Sequence, residues 1–366
     1  EGLKAPFMTG LGFSPDGRYL ISGSWSGEVW RFPLAPTAGG SRARLLFEEN
    51  QGLGTLEPAF DADSRLVAVS EFTTKRVFLI TIDTGEVHTL RVPADFSGKA
   101  AFRKDGRLLA VAMADVEEED RIFLRDLETG EERTLDTYVE SDACEPERNR
   151  GGRVFDLLFL ADGRLLTEGL SGLRIYDLNT GVSARLRPCR PVVNVANQRS
   201  ILSLAPDGRT LLVAHVSEDT ARTSSLAVFD IESRAERALT SHGDHVMAAA
   251  LDSTGRYVVT GSGDGLVRFG PVDEREEPHL LYGHTARVTS VAASPDGRWI
   301  ASASEDGTIR LWPLPEGRPF HTLPYEELLA KLRALTNLRV IADEGSASGY
   351  KVEPGPFPGW AKFPEW

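Results

Sequence analysis

Cysteine is nearly absent, with only Cys144 and Cys189 among 366 residues, too few for a disulfide framework. No Asn is followed two positions on by Ser or Thr, so no glycosylation site marks the chain for secretion either. Long apolar runs are missing too: no stretch of eighteen exists, and the opening EGLKAPFMTG shows neither a basic start nor an apolar segment. The expected setting is therefore cytoplasmic, without a membrane. Positive charge is in short supply, 41 Lys plus Arg against 54 Asp plus Glu for a net charge of −13. A surface of that sign repels phosphate backbones, which argues against nucleic acid as a partner. Helical periodicity is absent before residue 325.

What the sequence has is a repeat. One short phrase recurs seven times, as SPDGR (14 to 18), DADSR (61 to 65), RKDGR (103 to 107), LADGR (160 to 164), APDGR (205 to 209), DSTGR (252 to 256) and SPDGR (294 to 298). Asp or Ser offers a local side-chain hydrogen bond, Gly permits positive φ, and alternating apolar runs flank each copy, so each phrase is a hairpin turn. A third strand follows, such as DGTIRLWPL (306 to 314), then a TG or EG turn and a fourth strand such as HTLRVP (88 to 93). Four antiparallel strands every 45 or so residues bury their faces only by radial stacking. The pattern predicts an all-β, seven-bladed propeller over 1–324, followed at 325–366 by a short amphipathic helix and an extended aromatic, Pro-rich tail packed on it.

The residues also resemble the WD-repeat (WD40) β-propellers, across roughly 8 to 324. The last unit is nearest the family pattern, with GH at 283 to 284, SPDGR, SASEDGT at 302 to 308, and Trp312. The resemblance implies a structural tetrad of His284, Ser302, Asp306 and Trp312, which holds a blade together and catalyses nothing. In the other six blades the Trp312 position holds Phe32, Ile80, Arg125, Tyr176, Phe229 and Gly270. The tail, YEELLAKLRALTNLRV followed by SASGY and GPFPGW, looks like the C-terminal ends of bacterial WD-repeat proteins in which a propeller follows an effector domain, commonly a serine/threonine protein kinase. A start without Met at Glu1, and 34 Arg against 7 Lys, fit an excised piece of such a bacterial protein.

In a four-stranded antiparallel blade the d-to-a and b-to-c connections share one end, and the a-to-b and c-to-d turns share the other. The long segments 114 to 121, 137 to 152, 187 to 198 and 215 to 225 all fall at the first end, which makes that face the expected interaction surface. On it lie Trp25, Phe72 and Leu170 in b-to-c turns, Tyr138 in a long d-to-a loop, and the run Glu117, Glu118, Glu119 and Asp120, suited to a partner with a basic segment or to a cation.

Catalytic constellations are missing: there is no G-x-S-x-G elbow and no phosphate loop, and the glycines of GSGDG (261 to 265) serve a hairpin. His242 and His245 have a metal-like spacing, but His242 aligns with His284 of the repeat. No cofactor and no metal is expected. The favoured reading is a non-catalytic sensor or scaffold that binds a protein or peptide, or a domain of its own parent chain. A hydrolase or metal enzyme with a site at the central channel, and a purely structural assembly subunit, are the alternatives.

Overall fold

The protein is described by a computed structural model that covers residues 8–34, 43–48, 58–70, 75–93, 96–114, 121–136, 154–169, 172–187, 198–217, 225–243, 245–315, 317, 319–328, 338–342 and 350–354. The chain divides into two compact units, Glu1–Pro315 and Glu316–Trp366.

The first unit is a seven-bladed β-propeller. Blade 1 is β1 (Met8–Phe13), β2 (Tyr19–Ser24), β3 (Glu28–Pro33) and β4 (Arg44–Glu48). Blade 2 is β5 (Ala59–Phe60), β6 (Leu66–Ser70), β7 (Arg76–Thr81) and β8 (Val87–Arg91), and blade 3 is β9 (Phe96–Phe102), β10 (Leu108–Ala114), β11 (Arg121–Asp126) and β12 (Glu132–Asp136). Blade 4 comprises β13 (Val154–Phe159), β14 (Leu165–Gly169), β15 (Arg174–Tyr176) and β16 (Ser183–Arg185), and blade 5 comprises β17 (Gln198–Leu204), β18 (Thr210–Ser217), β19 (Ser225–Asp230) and β20 (Glu236–Ala238). Blade 6 runs through β21 (Val246–Leu251), β22 (Tyr257–Ser262), β23 (Val267–Pro271) and β24 (His279–Leu281), and blade 7 through β25 (Val288–Ala293), β26 (Trp299–Ser304) and β27 (Ile309–Pro313). Every sheet is an antiparallel meander in chain order.

Each repeated phrase is the a-to-b turn of one blade. Gly17, Gly106, Gly163, Gly208, Gly255 and Gly297 have φ between 67° and 87°, the region glycine enters without steric cost. In the second copy Ser64 occupies that place with φ 57°, and its Oγ accepts the backbone N–H of Asp16 from blade 1 at 2.9 Å. The fourth copy is one residue tighter, closed by Leu160 N–H donating to Arg164 O, where blade 1 has Ser14 N–H donating to Tyr19 O. With that offset the registers Leu20↔Phe32, Leu165↔Tyr176, Val258↔Gly270 and Ile300↔Trp312 place the same position opposite the same strand residue.

Among the described residues the core consists of seven apolar clusters, each drawn from two adjacent blades. A blade has no private core, because both faces of its sheet belong to interfaces with its neighbours. The last cluster closes the ring: Met8, Leu11, Phe13 and Leu20 of blade 1 pack on Ala301 and Ala303 of blade 7. Polar links reinforce the joints where the innermost strand is bulged. Between blades 7 and 1, Thr289 Oγ1 donates to Met8 O at 2.7 Å. Between blades 3 and 4, Lys99 Nζ meets Asp156 Oδ2 at 2.7 Å, and the same oxygen accepts Leu202 N–H of blade 5 at 2.7 Å. The bulges at these strands turn one side chain out of the pleat and onto the next blade.

The second unit starts where the repeat leads one to expect the outer strand of blade 7. Phe320–Thr322 forms a 3₁₀ turn instead. Thr322 N–H and Oγ1 both bond to Pro319 O, at 3.0 and 2.8 Å, and Pro319, having no N–H, is poorly suited to a strand ladder. Blade 7 is accordingly three-stranded among the described residues. A short helix at 325–328 follows, then a hairpin of β28 (Leu338–Ala342) and β29 (Tyr350–Pro354). The rest of the expected helix, to Asn337, lies outside the described residues, as do Phe357, Trp360, Phe363 and Trp366.

Asp156 is 1% exposed and serves three blades at once. Removing its carboxylate takes this partner away from the Lys99 ammonium and from the Leu202 N–H. Asp156→Ala should lower unfolding stability by about 3 kcal/mol, measured by urea denaturation at pH 7.

Candidate interaction face

The best-formed side-chain network lies in blade 7. His284 Nδ1 bonds Asp306 Oδ2 at 2.9 Å, His284 Nε2 meets Ser302 Oγ at 2.7 Å, and Trp312 Nε1–H donates to Ser302 Oγ at 2.8 Å. The order Asp, His, Ser matches that of a hydrolytic triad. Ser302 is fully buried, however, and the indole N–H occupies its oxygen. No substrate carbonyl can reach that oxygen, and its role is to join β26 to β27. Burial pushes the Asp306 carboxyl up, but hydrogen bonds from Thr308, His284 and the backbone of Thr285 and Thr308 outweigh it and hold the group far below the ordinary carboxylate range. Burial lowers His284, against the opposing pull of Asp306.

Blade 6 carries an incomplete version. His242 Nδ1 pairs with Thr260 Oγ1 at 3.0 Å, while Asp264 turns away to Ser262 Oγ and Leu266 N–H. Gly270 stands in the place of Trp312. A Cβ there would lie 2.8 Å from Pro278 Cβ, so the proline fills the space an indole would need. His242 Nε2 is buried without a partner among the described residues.

At the a-to-b and c-to-d end, Arg107 pairs with Asp126 and Glu128 at 2.8 and 2.9 Å, and Arg209 pairs with Asp230 and with Glu232 at 2.7 Å. Backbone hydrogen bonds from Thr129 and the Arg107 contact hold Asp126 below the usual carboxylate range, and the Arg209 contact does so for Asp230. Charge at that end is largely paired off.

At the opposite end Trp25 is 49% exposed. Its turn is rigid: Gly27 N–H donates to Ser24 O at 3.1 Å, Glu28 N–H donates to Ser24 Oγ at 3.1 Å, and Ser24 Oγ meets Ser26 Oγ at 2.8 Å. Trp25 takes the position held by Glu305 in the same turn of blade 7, where Gly307 N–H donates to Ser304 O. That position projects to solvent, which explains why an indole here is not folded into the core. Phe72, Leu170, Tyr138, Glu117, Glu118, Glu119 and Asp120 lie outside the described residues. Strand order adds a residue that sequence reasoning passed over: Tyr282, 73% exposed, sits on the connection from β24 to β25. An aromatic just before the Gly283-His284 dipeptide was the available signal.

Among the described residues no group of three or more His, Cys, Asp or Glu could hold a metal ion, and no helix is long and apolar enough to cross a membrane.

The WD domain, G-beta repeat family matches residues 4–30, 234–269 and 275–313. The chain carries WD40 repeats. Its fold is also that of the β-propeller domain of Cps50 (Swd1) from Myceliophteria thermophila, at 18% identity and a TM-score of 0.65, covering 86% of this chain and 99% of that one. No curated protein sequence matches. WD40 propellers are in general protein-interaction scaffolds, and the blades matched by the family include the two that carry His242 and His284.

His242 supplies a pH-dependent term. Burial and the nearby Arg268 cation push its imidazole down to about 4 from 6.5, against a smaller pull from Glu274. The folded value is the lower one, so between pH 6.5 and pH 4 the unfolded chain binds the extra proton. Stability contributed by neutral His242 is thus complete above pH 6.5 and falls by about 3 kcal/mol toward pH 4. His242→Gln should remove that part of the slope, seen as a smaller change in urea midpoint between the two pH values than in the unsubstituted protein.

Proposed function

We propose that this propeller is a non-catalytic recognition module that holds a protein or peptide on the face bearing Trp25. The observation that carries this reading is a large aromatic, half exposed, on a turn fixed by three hydrogen bonds. An anchor of that kind loses little conformational entropy when it is covered, which is what concentrates binding energy in a few interface aromatics. Tyr282 at the same end widens the apolar contact area. The acidic run Glu117 to Asp120 favours a partner with a basic segment, and the net charge of −13 favours the same sign of complementarity. The paired-off charges of the opposite end offer a partner less.

The biological setting in this reading is a bacterial, cytoplasmic signalling protein in which the propeller acts as sensor or scaffold for an effector domain, a kinase among the candidates. Support for it comes from the likeness of the tail to such proteins and from the Arg-rich composition.

Affinity capture from a lysate of the source organism, using the chain beside a Trp25→Ala/Phe72→Ala variant, tests the assignment. The expected outcome is a partner retained by the unsubstituted chain and weakened by about 2 kcal/mol or more, roughly thirtyfold, in the variant. Trp25→Ala alone should change stability by no more than about 0.5 kcal/mol, as for an exposed position. A stable variant that retains the same partner equally well removes Trp25 and Phe72 from the site.

A further inference from the structure

Blades 6 and 7 hold the same imidazole in opposite ways. His284 has an acid on one ring nitrogen, Asp306 at 2.9 Å, and a hydroxyl on the other, Ser302 at 2.7 Å. His242 is 0% exposed and has no acid: Nδ1 meets Thr260 Oγ1 at 3.0 Å, and Nε2 finds no partner among the described residues. Nε2 faces backbone, since a Cβ at Gly270 would stand 3.3 Å from it. The charged groups around this socket are committed elsewhere. From β23 the Arg268 guanidinium presses on the neighbouring Gly243, 3.3 Å from where a Cβ would lie. In the b-to-c turn Asp264 is engaged by Ser262 Oγ and Leu266 N–H. In the c-to-d turn one oxygen of Glu274 accepts Thr240 N–H at 2.7 Å and Ser241 N–H at 2.8 Å, and the other meets Arg237 at 3.2 Å. His279 of β24 packs against Phe269. His245, on the same connection as His242, is exposed, and Asp244 lies outside the described residues. The socket therefore suits a neutral ring. With Nδ1–H donating to Thr260, a second proton on Nε2 would have no acceptor, in a fully buried space and near a guanidinium.

We propose that His242 is an acid-released latch: protonation drives its ring out of the socket and frees the b-to-c turn of blade 6, while the other blades stay folded. The fixings of the connection into blade 6 decide where it gives. Thr240 and Ser241, at its start, are held by the Glu274 carboxylate. Burial pushes that carboxyl up, but the backbone N–H groups of Ser241 and Thr240 outweigh it and keep the group below its ordinary value, so this hold survives mild acid. His245, at its end, is tied to the b-to-c turn by Gly263 N–H donating to His245 O at 3.0 Å. Exit of the ring therefore displaces the stretch beyond Ser241, starting at Gly243, whose φ of 80° marks a residue free to swing. The turn at Gly263 then loses its tie. It lies at the end that carries Trp25, so acid reshapes that face. This last consequence rests on the recognition role proposed above, and the latch itself does not.

Amide hydrogen exchange of the whole chain at about pH 7.5 and 5.5, read by mass spectrometry and corrected for the intrinsic effect of pH, tests the latch without any partner. The released ring binds the proton more tightly than the ring in its socket, so opening is favoured as pH falls from 6.5 toward 4. Protection of the segment 258–266 is expected to fall about tenfold between the two conditions. The segments 108–114 and 121–126 of blade 3 should keep theirs within about twofold. His242→Gln, neutral at both pH values, should lose the acid dependence of 258–266. His242→Phe, an apolar ring for the same socket, should do so if the glutamine variant does not fold. Equal protection of 258–266 in the unsubstituted chain at the two pH values overturns the proposal. So does a fall shared equally by blade 3, since the whole ring then opens, or a fall that persists in a folded variant, since another group is then the trigger. A latch that opens in a chain whose partner capture ignores Trp25 still stands, and only its link to recognition is lost.

Discussion

A blade in this protein cannot be stable alone, because the two faces of its sheet are both apolar and each needs a neighbour. Everything else follows from that requirement. Seven inter-blade clusters exist because there are seven joints, and the ring must close for the first and last of them to be satisfied. Among the described residues closure is made by side chains, with Phe13 and Leu20 set against Ala301 and Ala303, and by the bond from Thr289 to Met8. Bulged inner strands supply the polar part at several joints, so the irregularities of the sheets are what tie the blades together.

Once neighbours hold a blade, its internal polar network becomes dispensable. Blade 7, with an alanine-rich inner face and one strand fewer among the described residues, keeps the complete set His284, Ser302, Asp306 and Trp312. Blade 6 loses the indole, turns its imidazole to Thr260 and fills the gap with Pro278. Blades 1 and 5 put Phe32 and Phe229 at the indole position, and Phe229 is 2% exposed with no hydrogen bond needed. Replacement of a hydrogen-bonded ring by a well-packed apolar one costs little when no polar partner is left behind.

The seven phrases were readable because a turn with positive φ is a local event, encoded by Asp and Gly within five residues. The sorting of long loops to one end was readable as well, since strand order alone dictates it. The clamp of Lys99, Asp156 and Leu202 was not, because its members are separated by 57 and 46 residues and nothing near Asp156 distinguishes it from the other acids of the chain. The 3₁₀ turn at Phe320–Thr322 was also hidden, because PFHTL reads as a strand by composition and only the prolines flanking it favour the other outcome. At the candidate site, Trp25 stood out as an aromatic in a polar turn. Tyr282 did not, since one tyrosine beside a conventional repeat dipeptide carries no periodic signal.

The seam between blades 7 and 1 has a mechanical consequence. Among the described residues the propeller's first strand, from Met8, and its last, to Pro313, lie in the two blades that meet there, so tension applied through those ends bears on that joint before any other. Within a blade, load is shared across a ladder of backbone hydrogen bonds. At the seam no strand of one sheet pairs with a strand of the other among the described residues, and resistance there comes from interlocked side chains, which give way over a short displacement. The ring would behave as a split washer, opening at one defined place while six joints remain shut, and it would re-form by bringing two preassembled surfaces back into register.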